Sequence, residues 1–240
     1  KMQEAEPQNQ KDRLIRRLDP VFYGDVFDYP MTLEEVRRFC TLPVSLDALA
    51  KALHGTLAEE LDTPLAKELH GEGEATRILS RAKGYYFLKG RDPLVEIRQA
   101  RALESKKVWC TAQRVVNLLK YIPFIRGIMV TSSLAVDNAR RKDDIDFLIL
   151  VAPRRLWFVF FFLGVLQRIF SHRYLCPNYY ISVDHLPMNR QSFYVAREAV
   201  QAQPIYGHSY CRRFYEENRW IFETFPNACE DHETGNGTQP

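Results

Sequence analysis

Apolar and polar positions alternate along this chain with two different periods. From Thr32, "TLEEVRRF" places Leu33, Val36 and Phe39 on one helical stripe, and Thr32 with Glu35 three residues on forms a capping box. "SLDALAKAL" repeats the pattern, with Ser45 as N-cap and Leu46, Leu49 and Leu53 as the apolar face. "GEATRILSRA" predicts a third short helix. "GYYFLKGR", set between Gly84 and Gly90, predicts a strand. Asp92-Pro93 opens a long helix that ends before Pro123, and its basic residues Arg98, Arg101, Lys106 and Lys107 read as a solvated face.

Beyond it, "GIMVT" (127–131), "IDFLILVA" (145–152) and "NYYISV" (178–183) predict strands. "RRLWFVFFFLGVLQRIF", "SFYVAREAVQAQ" and "CRRFYEENRWIF" predict helices. Within the first of these, "LWFVFFFLGVL" (156–166) is the most apolar stretch. It is too short to span a bilayer and predicts a buried core helix, so no membrane partner is expected. The fold class is therefore α+β: a small helical, winged-helix-like domain (13–91), a long linking helix (92–120), and a small mixed-sheet domain with flanking helices (121–225). The polar ends, 1–12 and 226–240, read as disordered.

Composition changes this picture little. In 240 residues, 46% hydrophobic and 26% charged, there is enough apolar material for one large or two modest cores. A net charge of +3 gives no global electrostatic case for nucleic acid or membrane. Five scattered cysteines point to reduced thiols and a cytoplasmic setting, and the polar start has no signal-peptide core. No G-x-x-x-x-G-K-[ST] phosphate loop occurs. His172, Cys176 and His185, or Cys229 and His232, fit no common zinc spacing.

The candidate chemistry lies in "VTSSLAVDNARRKDDIDFLIL", Val130 to Leu150. A strand runs into Thr131-Ser132-Ser133. After a ten-residue spacer come Asp144 and Asp146, and then a second apolar strand. Strand alternation puts both acids on one face, while Ile145 and Phe147 turn to the core. Two like charges on one strand face repel. A divalent cation removes that penalty, and Mg²⁺ (or Mn²⁺) takes one or two carboxylates together with phosphate oxygens. The amides and hydroxyls of Ser132 and Ser133 can hold phosphate oxygens.

This order of strand, serine turn, spacer, Asp-x-Asp and strand resembles the nucleotidyltransferase superfamily built like DNA polymerase beta. The resemblance covers roughly Ile122 to Gly207 and takes in "PIYG" (204–207). The wider layout, with "FDYP" and "GYYFLKGR" upstream, is similar to bacterial predicted nucleotidyltransferases of unassigned substrate. It implies an NTP substrate, Ser133 on the triphosphate, and Asp144 and Asp146 on metal. Family members often carry a third carboxylate on a later strand. Here Asp184 is the only acid of "NYYISVDHL", sitting late near a turn, and Asn178 stands at the strand start. The family's glycine before the serine is Ser132, which puts a side chain where phosphate would sit.

Two functions follow. The first is a metal-dependent nucleotidyltransferase that moves NMP from an NTP to an acceptor and releases pyrophosphate. The alternative is a weak or inactive relative that senses nucleotide, binds nucleic acid through the N-terminal domain, or packs on a protein partner.

Overall fold

The computed structural model describes residues 5–58, 78–170 and 172–229. The chain divides into two compact units. One holds the residues up to Gln99 together with the segment that begins at Phe225; the other runs from Ala100 to Thr224. Both mix helix and strand.

The first unit contains helices α1 (Ala5–Val26), α2 (Leu33–Arg38) and α3 (Leu46–Ala58), and strands β1 (Leu79–Ala82) and β2 (Tyr85–Leu88). The α2 capping box forms as expected: Glu35 N–H donates to Thr32 Oγ1 and Thr32 N–H donates to Glu35 Oε2. Ser45 likewise caps α3 by accepting from Ala48 N–H. β1 and β2 make an antiparallel hairpin, Leu79 opposite Leu88 and Ala82 opposite Tyr85. Met31, Val36, Leu49, Leu53, Leu79, Tyr86 and Phe87 form its core.

Four expectations fail in this unit. Residues 5–12, expected to be disordered, begin α1. The predicted helix over "GEATRILSRA" is extended from Leu79, where pairing with β2 overrides local propensity; its earlier part lies outside the described residues. Residues 226–228, expected in a disordered tail, form a 3₁₀ turn. There the buried Asn227 accepts from Val44 N–H and donates to the Cys40 and Leu42 carbonyls. Finally, Arg98 is buried rather than solvated. It pairs with Glu35 at 3.1 Å and lies 4.6 Å above the Tyr29 ring.

The long helix is α4 (Pro93–Leu119). The second unit continues with β3 (Ile125–Val130), a one-turn α5 (Ser132–Ala135), β4 (Asp146–Val151), α6 (Leu156–Phe170), β5 (Cys176–Ser182), α7 (Phe193–Gln201), β6 (Gln203–Tyr206), α8 (His208–Glu217) and α9 (Trp220–Thr224). Its sheet has the order β5-β4-β3-β6 and is mixed: β4 pairs parallel with β5, and β3 pairs antiparallel with both β4 and β6. One sheet face, with Ile128, Val130, Phe147, Ile149 and Val151, packs on Ala112, Val116 and Leu119 of α4 and on Val159 and Leu163 of α6. Against the other face, a Cβ on Gly127 would meet Leu150 and Cys211, so α8 lies close there.

β6 was not expected. It is four residues long, contains a proline, and forms only because β3 offers an edge. The single predicted last helix is two helices, broken at Asn218. That buried side chain donates to the Leu186 and Phe214 carbonyls and accepts from Met188 N–H and Trp220 Nε1–H. The largest departure is α6. Only Val159 and Leu163 are fully buried, while Trp157 is 78% exposed, Phe161 73% and Ile169 68%. Composition predicted a core helix; the sheet offers this helix only one contact face.

Candidate functional site

β3 and β4 are neighbours, so the end of one and the start of the other meet. Thr131 N–H donates to the Asp146 carbonyl at 3.0 Å, which fixes the Ser132-Ser133 turn beside the acidic strand start. Ile145 and Phe147 lie in the α4/α6 core, and Asp146, the first residue of β4, points to the opposite face; Asp144 lies two residues before the strand, near enough for its charge to act on Asp146. Asp144 is exposed and Asp146 half-buried.

The turn has a strained entry. Ser132 has φ 58°, in the left-handed region that favours glycine. Asn138 N–H closes the turn onto the Ser133 carbonyl at 2.8 Å. The Ser133 hydroxyl is directed to Asp143 Oδ2 at 3.3 Å, which also accepts from Arg140 N–H at 2.9 Å. Ser133 would have to leave Asp143 before its hydroxyl met a phosphate.

Sequence reasoning missed one carboxylate. Glu198 of α7 stands with its Oε2 3.4 Å from the Ser132 hydroxyl. The same hydroxyl also lowers Asp146, against the effect of burial. Burial pushes the Glu198 carboxyl above its ordinary range, opposed by the Ser132 hydrogen bond and by Arg197. Burial also raises Asp146, against hydrogen bonds from Ser132, Cys176 and Asn178, and the Asp144 charge adds to the rise. The only hint in the sequence is the charged pair Arg197-Glu198 inside the apolar run "VAREAV".

β5 begins alongside, with Cys176 opposite Asp146. Its thiol is pushed up to about 12 by burial and by the Asp146 charge, and lies 3.5 Å from Asn178 Oδ1. Tyr194 of α7, largely exposed, is raised by Glu198 first and also feels Asp146, which sets it at the rim.

Asp184 does not join this group. Ser182 pairs with Val151 at the far end of the parallel strands. Asp184 therefore lies roughly 20 Å along the sheet from Asp146, counting about 3.3 Å per residue. It is fully exposed, and its carboxyl is lowered by the Ser182 hydroxyl, which donates to it. The candidate third carboxylate is thereby corrected: Asp184 is a turn residue, and Asn178 occupies the near end of β5.

Mg²⁺ needs one or two protein carboxylates when phosphate oxygens and water supply the rest. Asp144 and Asp146 meet that requirement. Among the described residues no group of three His, Cys, Asp or Glu side chains could hold a metal without such help. The buried Thr131 hydroxyl, just before the turn, has no hydrogen-bond partner among the described residues. Comparison of the chain with family models, curated proteins and solved structures finds no match.

Proposed function

We propose that this protein is a metal-dependent nucleotidyltransferase that moves NMP from an NTP onto an acceptor hydroxyl or phosphate and releases pyrophosphate. What carries the reading is Asp146 at the start of β4, with Asp144 close before it, beside a serine turn that enters through a left-handed residue.

Asp144 and Asp146 would hold Mg²⁺ or Mn²⁺, which supplies charge neutralisation of the phosphates and orients the displacement. The Ser132 and Ser133 amides and the Ser133 hydroxyl bind the triphosphate. Glu198, beside Ser132, is the group within reach to accept the acceptor's proton; Asn178 cannot, because an amide takes no proton there. Tyr194 and Tyr179 offer ring surface at the rim for the base.

The test is incubation with each labelled NTP, Mg²⁺ or Mn²⁺, and total cellular RNA and protein. Label on an acceptor with matching pyrophosphate is expected. Neither transfer nor metal-dependent NTP binding with any NTP would overturn the reading. A second reading, nucleotide binding without transfer, is favoured by one observation: β5 brings an amide, Asn178, rather than an acid to Asp146. Binding without product would select it.

A further inference from the structure

We infer that the outer face of α6 is a docking surface for an anionic lipid membrane. A surface helix usually buries its apolar stripe and exposes its polar one. α6 buries Val159 and Leu163 and exposes Trp157, Phe158, Phe160, Phe161, Val165 and Ile169. At about 100° per residue these exposed side chains span roughly 180° of the helix circumference. The rings are held in place by one another. Trp157 meets Phe160 edge-on at 5.8 Å, Phe158 stacks on Phe162 at 6.2 Å, and Phe160 meets Tyr180 at 5.3 Å.

Charge decides the occupant. From Phe147 to Val183 the chain contains no Asp or Glu, while the exposed Arg154 and Arg155 precede α6 and the exposed Arg168 stands in its last turn. A second copy docked about a two-fold axis would bring this cationic rim against itself. A surface of anionic headgroups over hydrocarbon complements both the rim and the rings. The convex, wide arc also suits a fluid surface that conforms to it better than a rigid groove. No helix among the described residues is long and apolar enough to cross a membrane, so the helix would lie in the interface.

The test is flotation of the full chain with phosphatidylcholine vesicles, with and without phosphatidylglycerol. Flotation only with phosphatidylglycerol, weakened by salt, is expected, together with a blue shift of tryptophan emission. Trp157→Phe should keep flotation and lose the shift, since Trp109 and Trp220 stay where they are. Arg154→Gln with Arg155→Gln should lower partitioning about 25-fold, near fivefold for each charge. Phe161→Ser with Ile169→Ser, both solvent-facing and so neutral for folding, should lower it by at least about tenfold. No flotation at low salt overturns the proposal. So does flotation unaffected by these substitutions, or a dimer that Phe161→Glu dissociates while vesicles remain unbound.

Discussion

Ser132 holds two opposed assets at one position. Its left-handed φ costs a non-glycine residue on the order of 1 kcal/mol, yet its hydroxyl reaches both Glu198 and Asp146. Ser132→Gly should remove the strain and leave transfer unchanged or raised. Ser132→Ala keeps the strain and loses the hydroxyl, so thermal melting should rank glycine above alanine by about 1 kcal/mol. Alanine at or above glycine would mean that this turn position carries no left-handed strain. Asp144→Asn and Asp146→Asn should each lower transfer by at least about 100-fold, because several kcal/mol of charge stabilisation would be lost. Circular dichroism should stay native. Glu198→Gln should slow transfer about 100-fold with little loss of NTP binding, as expected for a proton acceptor; equal losses in both would make it a binding group instead. The start of β4 at Asp146 was legible in the sequence because the apolar run that follows it is local. Glu198 was not, because only the packing of α7 brings a residue so distant in sequence beside Ser132.

At the scale of elements, hydrophobic periodicity located helices and strands but not their partners. α2 and α3 were legible to the cap because capping is written within a few residues. β6 was not, since a four-residue edge strand carries no period of its own. "LWFVFFFLGVL" read as core because apolar content records what could be buried, while the sheet decides what is. Gly207 links β6 to α8 with φ 68°, and a Cβ there would come 2.0 Å from the Arg126 carbonyl oxygen. Gly207→Ala should therefore destabilise by at least about 3 kcal/mol, since backbone strain and a backbone clash add. A melting curve within a degree or two of wild type would show that β3 shifts freely at its start.

For the molecule as a whole, the chain divides into two compact units, and the return of the segment from Phe225 to the first unit was not legible in the sequence. The side chain of Asn227 bonds three backbone groups between Cys40 and Val44, a pairing of residues more than 180 positions apart. A nucleic-acid test must therefore use the full chain, because a fragment ending near 105 would lack those bonds. The charges of the first unit argue for a particular outcome. Arg91 is paired with Asp25 and Asp28, Arg98 with Glu35, and Arg37 donates to the Val44 carbonyl. Helix α3 carries one lysine, Lys51, against one aspartate, Asp47. The sequence from 59 to 77 adds six acids against two bases. Each phosphate contact contributes close to one unit of slope to log affinity against log salt. With Arg37, Arg91 and Arg98 engaged internally and the sequence from 59 to 77 acidic, this unit should bind duplex DNA or RNA weakly, with a slope of magnitude below about 3. Titration at several salt concentrations measures it directly. A steep slope would restore the nucleic-acid role. A shallow one leaves the hairpin and short helices as a protein-contact module, which needs no cationic track.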